Sequence, residues 1–405
     1  PAGDLVTHAM KRVRLGLLKE VHTLEPALLK GEQSNSSVLF GHQFILKLYR
    51  RAEVGVNPDF EIGRFLTQKG FAHIAPLAGA IEYQRDNGDL LTFGILQQFI
   101  QNEGDAWKYT LDELGRYLEE ALTHPTAITT SSIPHKTLMA LVEEDIPSSA
   151  REWIGPYLEE ARLLGLRTGE LHATLASDAE NPEFAPEPFT DFYRRGLYQS
   201  MLGTVNMNFP LLRSQVKGLH EPVQTLAKSV LEGEGQLRKR LLTIRDRKLK
   251  CARIRCHGDY HLGQVLYTGK DFIIIDFEGE PARPLSVRRL KESPLRDVAG
   301  MLRSFHYAAH ASSIGLVEGV RPEDFSLLEP WARYWQLWVS VSYLKAYLSV
   351  KETREILPAS FDDIQILLNG YLLQKAIYEL GYELNNRPDW VRIPLDGIIQ
   401  ILEVD

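Results

Sequence analysis

Cysteine is nearly absent from this chain of 405 residues: Cys251 and Cys256 are the only two. Two thiols cannot build the disulfide framework of a secreted scaffold, and a C-x4-C spacing without further ligands nearby is not a zinc motif. That usage suits a reducing compartment, so the cytoplasm is the expected location. Long hydrophobic runs are missing as well. The longest resemble Phe272-Ile273-Ile274-Ile275, far short of the roughly 20 apolar residues of a membrane span. The opening Pro1-Ala2-Gly3-Asp4 lacks the basic and apolar regions of a secretory signal. It also lacks an initiator methionine, as expected of a processed chain or of one cut from a longer polypeptide. Positive charge is not in excess: the net charge is -7, which argues against a nucleic-acid partner. The cluster Arg288-Arg289-Leu290-Lys291 reads as a solvated loop, and no repeat, heptad or low-complexity tract is present.

What is present is the composition of a globular protein, 44% hydrophobic and 24% charged, long enough for two or three subdomains. Residues 1–30 hold one amphipathic stretch, Met10 to Leu18, and are expected to be a helical segment or linker. Residues 31–103 are mostly strand-like. Val38-Leu39-Phe40 and Gln43 to Tyr49 flank Gly41-His42 as a hairpin would. Asn57-Pro58-Asp59 is a helix start, with a cap, a proline and an acidic first turn, and Leu77 to Tyr83 and Leu90 to Ile100 are further strands. From residue 104 to 405 the chain turns helical, with predicted helices at 111–123, 138–144, 154–175, 191–202 and 219–247 and a short hairpin at 264–276. The fold class expected is α+β: a small β-rich N-lobe before a large, mostly helical C-lobe.

The chemistry concentrates in Cys256-His257-Gly258-Asp259-Tyr260-His261-Leu262-Gly263-Gln264, followed by Ile275-Asp276-Phe277-Glu278. Phosphoryl transfer needs a carboxylate to position and deprotonate the attacking hydroxyl, and oxygen ligands for the Mg²⁺ that bridges the phosphates. Kinase-fold enzymes carry these as H-x-D-x-x-x-x-N and, after a hairpin, D-F-G. Here Asp259 takes the place of the base, Gln264 that of the metal-binding Asn, and Asp276 that of the main metal ligand. Glu278 replaces the Gly and is a further candidate for metal or for a substrate hydroxyl; His257 falls on the substrate side of the loop. Lys47, a charge within an apolar strand, is expected to bind phosphate and to pair with Glu61. Gln33, Ser34, Asn35 and Ser36 form a small polar loop able to cradle phosphates. Gln98 and Ile100 stand where a hinge would meet adenine.

With these motifs the chain resembles the maltokinases, which are similar in fold to aminoglycoside phosphotransferases and protein kinases. The likeness runs from about Gly31 to the C-terminus. It includes Glu32 to Ser37, Leu46-Lys47-Leu48-Tyr49-Arg50-Arg51, Asn57 to Ile62, His257 to Leu266, Asp276 to Pro281, Pro294 to Phe305, Lys375 to Leu380 and Asn386-Arg387-Pro388 with Trp390. The resemblance implies transfer of phosphate from ATP, with Mg²⁺, to maltose. It gives Asp259 as base, Gln264 and Asp276 on the metal, and Asp297 as a brace for the catalytic loop. It also implies sugar contacts from Lys375, Glu379, Tyr382 and Arg387, the first three sharing a helix face. A short N-terminal region without Met is expected of the kinase part of a trehalose synthase fusion, or of a short variant. Other acceptors on the same fold (an aminoglycoside, choline or a fructosamine) and a non-catalytic scaffold are the alternatives. Carboxylates crowding the acceptor site would indicate a polycation; a mixture of Lys375, Arg387, Glu379 and aromatics suits a neutral sugar.

Overall fold

The computed structural model describes residues 3–10, 24–29 and 35–404. The N-lobe is an antiparallel sheet in the order β1-β5-β6-β4-β3-β2. Its strands are β1 Gly3–Ala9, β2 Pro26–Leu28, β3 Ser36–Phe40, β4 Phe44–Leu48, β5 Leu77–Arg85 and β6 Leu90–Gln98. The hairpin expected around Gly41-His42 joins β3 to β4, with Ser37 opposite Lys47. Helix α1, Pro58–Lys69, starts where Asn57 caps it: the Asn57 side chain accepts from the Asp59 N–H at 2.8 Å. One face of α1 buries Phe60 beside Tyr49, Leu77, Ala80 and Ile95, a small core of its own.

The start of the chain differs from the helical segment expected there. Gly3–Ala9 is an edge strand, paired with β5 in the register Thr7↔Ile81. The run Leu5-Val6-Thr7 favours extended backbone, and the open edge of β5 supplies the hydrogen-bond partners. Met10 donates its N–H to the Ala78 carbonyl at 2.9 Å and packs on the small core; the rest of the Met10–Leu18 stretch lies outside the described residues.

The C-lobe begins with α2 Ala106–Thr123, α3 Leu138–Glu143, α4 Ser148–Ile154, α5 Tyr157–Leu175 and α6 Asp191–Gln215. After α7 Val223–Glu232 and α8 Glu234–Asp246 come the hairpin strands β9 Val265–Tyr267 and β10 Phe272–Ile274, β7 (Glu187–Pro188) and β8 (Ala252–Arg253) being a separate short pair. It continues with α9 Leu285–Arg288, α10 Leu295–His310, α11 Phe325–Ser349 and α12 Lys351–Ile356, and ends with α13 Phe361–Asn386 and α14 Arg392–Glu403. One predicted helix, 219–247, is broken, since Gly233 separates α7 from α8, and another starts three residues late, because Gly155, at φ 65°, with Pro156 separates α4 from α5. A third runs longer, through Pro210 to Gln215.

The aromatics of α11 form the centre of this lobe, with Trp331, Trp335, Tyr343 and Tyr347 fully buried. Helix α5 lies against α11 backbone to backbone because Gly165 has no Cβ to strike the Tyr343 carbonyl. Through this contact the Tyr347 hydroxyl reaches His172 Nδ1 at 3.0 Å, and His172 Nε2 lies 3.2 Å from Asp297 at the start of α10. Core packing thereby fixes the residue that holds the loop at His257-Gly258.

Candidate active site

The loop from Cys256 to Gln264 is pinned from beneath by α10. Asp297, 1% exposed, accepts the His257 N–H at 2.7 Å and the Gly258 N–H at 2.9 Å. Burial alone would raise its carboxyl, but His172 and the loop amides outweigh that and hold it below the usual carboxylate range. Gly300, one turn further on, lets α10 close on the Tyr260 carbonyl, which a Cβ would strike.

His257 is not at the substrate, contrary to expectation. Its ring is buried against Tyr260 and Phe277 at centroid distances of 5.2 and 4.9 Å, and its Nε2 donates to the Ile275 carbonyl at 2.8 Å. A histidine that spends its N–H on the next strand braces the loop rather than touching a ligand. Gln264 closes the 3-10 turn Leu262–Gln264, and its carbonyl accepts the Ile275 N–H at 3.0 Å. The base candidate and the Asp276 segment are therefore tied together by backbone.

Asp276 sits at φ 66°, the one non-glycine residue with positive φ among the described residues. Such backbone costs on the order of 1–3 kcal/mol and persists where the surrounding structure over-determines it. The strain turns Asp276 towards Lys47, with which it makes an ion pair. Lys47 Nζ also lies 2.9 Å from Asp59 Oδ2 and 2.6 Å from Glu278 Oε1. Burial opposes the lysine's charge, yet three carboxylates outweigh it and raise its pKa well above the ordinary value. Asp276 is held below the usual range because Lys47 more than offsets its burial. Glu278 moves the other way: burial, with Asp59 and Asp276 nearby, raises its carboxyl despite Lys47.

Glu61 does not pair with Lys47; Asp59 does. Two positions along a helix are about 200° apart around its axis, so the two carboxylates face opposite ways. Glu61 points into the C-lobe, 2.7 Å from Arg255 Nη1 and 2.7 Å from Arg289 Nη2. Asp59 also accepts the Tyr49 hydroxyl at 3.1 Å and the Phe277 N–H at 3.0 Å, linking α1 to the segment that carries Asp276. The sequence signal was there, since Asp59 lies on the cap side of α1, but the helix phase was not.

The donor set fits Mg²⁺. Asp59, Asp276 and Glu278 each offer a carboxylate oxygen, all within 4.8 Å of one another, and oxygen-only ligation is what that ion demands. Of the predicted phosphate loop, Gln33 and Ser34 lie outside the described residues. Asn35 donates to Glu278 Oε1 at 2.5 Å, and the Ser36 hydroxyl accepts from Arg50 at 3.3 Å. At the end of β6, Gln98 donates its N–H to the Pro76 carbonyl at 2.9 Å. Proline has no N–H to return, so this ladder position offers no donor to the Gln98 carbonyl. The Ile100 carbonyl accepts from Asn102 at 2.8 Å.

Of the four residues expected at the sugar, the structure brings only Lys375 to Asp259: its Nζ is 3.6 Å from Asp259 Oδ1. Glu379, one turn on, is neutralised by Arg303 at 2.7 Å. Tyr382, seven residues and about 10 Å along the axis from Lys375, is exposed under Arg387, whose guanidinium is 5.2 Å from its ring. Arg387 itself bonds Glu383 at 2.8 Å and stacks on Trp390 at 4.2 Å. A shared helix face does not bring residues to one point on a helix of 26 residues. A cavity of about 70 Å³ opens beside Asp259 instead, its walls including Asp259, Glu280, Arg283, Arg296, Lys375 and Tyr378. Burial and the neighbouring Glu280 push the Tyr378 hydroxyl up to about 12. Glu280, Arg283, Arg296 and Tyr378 were not anticipated, although Glu280 directly follows the metal segment.

A loop carboxylate, Asp259, tied to a strained aspartate, and a lysine among three carboxylates point to group transfer, and residues 26–279 match the phosphotransferase enzyme family, APH. The chain belongs to that family. A glucosamine kinase of Streptacidiphilus jiangxiensis is 30% identical over 143 residues, which is 35% of this chain and 30% of that protein. The chain thus matches under a third of that relative's length. A glucosamine kinase of Mycolicibacterium smegmatis is 22% identical over 385 residues, 92% of this chain and 78% of that protein. The solved structure of a glucosamine kinase in complex with glucosamine, ADP and inorganic phosphate covers 98% of this chain and 79% of its own, with TM-score 0.68 at 17% identity. That similarity establishes the shared bilobal fold. No described helix is long and apolar enough to cross a membrane.

Proposed function

We propose that this phosphotransferase moves the γ-phosphoryl group of ATP to a hydroxyl of a neutral sugar, maltose, giving maltose 1-phosphate. The observation that carries the reading is Asp259 at the mouth of a cavity beside Lys375, on the loop that is tied to Asp276. Asp259 takes the proton of the acceptor hydroxyl as its oxygen bonds to phosphorus and the bond from phosphorus to the ADP oxygen breaks. Lys47 holds the phosphates, and the Gln98 carbonyl and Ile100 N–H face the adenine edge. Asp276 and Glu278 of that carboxylate group, with the Gln264 side chain, would hold Mg²⁺, which when bound neutralises charge on the phosphates, while Asp59 stays with Lys47. Lys47 lies against those carboxylates. A cavity of 70 Å³ is below the roughly 300–1,000 Å³ of ligand pockets, so sugar binding requires the cleft to open beside α13.

Glucosamine is the second reading, favoured by the relatives' activity. It carries a cation, and a cation needs an unpaired carboxylate. Here Glu280 is committed to Arg283 at 2.7 Å and Arg296 at 3.5 Å, and Lys375 stands in front of Asp259. This balance favours an uncharged acceptor. A trehalose synthase fused to or associated with the chain, supplying the maltose, belongs to the same proposal. The test is ADP release over maltose, glucose, glucosamine, trehalose and kanamycin with Mg·ATP. Maltose should give the highest kcat/KM. Faster turnover of glucosamine would sink the neutral-sugar assignment, and no turnover with any acceptor would leave the scaffold alternative.

A further inference from the structure

Far from the catalytic loop, the other end of α10 carries a second group of metal-binding side chains. His306 and His310, four apart on one face of α10, meet Asp396 of α14, and all three are buried at 2%, 1% and 7% exposure. One ligand atom from each lies within 4.8 Å of the others. The hydrogen bonds decide which ring nitrogens carry protons. His306 Nε2 faces the Ile393 carbonyl at 3.1 Å, and His310 Nδ1 faces the His306 carbonyl at 3.1 Å. A carbonyl oxygen can only accept, so each of those nitrogens bears its N–H. In the neutral rings, His306 Nδ1 and His310 Nε2 are then left with lone pairs.

His310 Nε2 lies 3.1 Å from Asp396 Oδ2 yet has no hydrogen-bond partner among the described residues. A lone pair buried against a carboxylate is repulsive, and either a proton on Nε2 or a metal ion between the two relieves it; the contact lacks the geometry of a hydrogen bond from Nε2. Imidazoles whose second N–H is fixed by a backbone carbonyl, with a carboxylate completing the set, are the arrangement zinc selects. Asp396 Oδ2 is itself oriented by Gln400 Nε2 at 2.7 Å. The nearby Arg303, which would repel a cation, is already paired with Glu379 at 2.7 Å. Zinc bonds of roughly 2.0–2.2 Å place ligand atoms about 3.4 Å apart, so the set must draw together around the ion. A cavity of about 340 Å³ is lined by His306, Gly397 and Gln400 among others, so it reaches one of the three ligands.

We propose that His306, His310 and Asp396 form a zinc site that staples the last helix, α14, to the helix that braces the catalytic loop. The site is distinct from the all-oxygen carboxylate cluster around Lys47. Its ligand set suits Zn²⁺, whereas the cluster suits Mg²⁺.

The experiment uses the full chain stripped with a chelator and titrated with Zn²⁺ alone, and separately with Co²⁺ as a visible-absorbing substitute. Wild type should take up one equivalent at this site, unfold at a higher temperature with metal, and show the absorption of four-coordinate Co²⁺. Asp396→Asn, His306→Asn and His310→Asn should each weaken Zn²⁺ binding by more than about a hundredfold, beyond the 10–100-fold that outer-shell partners carry. Asp276→Asn should leave it intact, separating this ion from any bound at the nucleotide site. The proposal is overturned if wild type binds no Zn²⁺. It is equally overturned if the three folded variants bind it as wild type does, or if imidazole ¹⁵N spectra in saturating Zn²⁺ show His310 Nε2 protonated, as a plain His–Asp ion pair requires. Because the wild-type readings stand alone, a variant that fails to fold does not rescue the idea.

Discussion

Asp59→Asn and Glu61→Gln, two residues apart on α1, should fail in opposite ways. Asp59 is 1% exposed and holds Lys47, the Tyr49 hydroxyl and the Phe277 N–H. An asparagine keeps the acceptor for Phe277 but loses the charge that Lys47 meets. A hydrogen bond to a charged group contributes about 1.5–3 kcal/mol. Lys47 retains Asp276 and Glu278, so no cation is stranded and the fold loses little. The loss appears in turnover, about tenfold to a hundredfold at 1.4 kcal/mol per factor of ten.

Glu61 is different, since Arg255 is 1% exposed and has Glu61 as its carboxylate partner at 2.7 Å. Stranding a buried cation costs about 3–5 kcal/mol; Arg289, partly exposed, can turn to Glu183 at 2.9 Å. Glu61→Gln should therefore unfold earlier yet turn over normally per folded molecule. The pH limb gives a second reading. Burial would raise the Glu61 carboxyl, but Arg289 and Arg255 outweigh it and hold it low. Its contribution is present above the unfolded value and lost as pH falls through the folded one, so the variant should show a flatter acid limb. Thermal unfolding across pH and a coupled ADP-release assay on the same preparations decide the matter. Normal stability with lost turnover in Glu61→Gln, and a silent Asp59→Asn, would refute the pairing and restore Glu61 as the partner of Lys47.

Three further outcomes are expected. Asp259→Asn should retain Mg·ATP binding by calorimetry and lose roughly 10²–10⁴ in turnover; near-normal turnover would remove it as base. Mg²⁺ affinity should fall as pH drops through the raised Glu278 value, above the ordinary carboxylate range, because the protonated acid is a poorer ligand; Glu278→Gln should abolish that dependence. The same shift lowers the metal-free fold's stability as pH rises through that window, the opposite sign to Glu61. Lys375→Met should raise the sugar KM by roughly tenfold, whereas Arg387→Ala should leave it within a factor of about two, since Arg387 is spent on Glu383 and Trp390. Equal effects of the two, measured by initial rates, would return Arg387 to the acceptor site.

Much of the machinery was legible because it is local. The catalytic loop, the hairpin and Asp276-Phe277-Glu278 fall in one short stretch, where spacing along the chain nearly fixes spacing in three dimensions. Asn57-Pro58 announced α1 because capping is a matter of neighbouring residues. His257 misled for the opposite reason. A histidine in a catalytic loop looks reactive, and only the Ile275 carbonyl across the hairpin shows where its N–H goes.

The sequence by itself determined the order of a strand-rich lobe and a helical lobe, and the loop and hairpin that carry Asp259 and Asp276. Each follows from periodicity or from contacts a few residues apart. Only the tertiary structure decided which carboxylate meets Lys47, because helix phase is set by what α1 packs against: Arg255 and Arg289 draw Glu61 away and leave Asp59 to the lysine. It also decided which residues of α13 reach the base, since the crossing of α10 and α13 leaves Lys375 beside Asp259 and ties Glu379 to Arg303. Ion pairs between residues 229 positions apart, such as Lys47 with Asp276, exist only once both lobes have folded against each other.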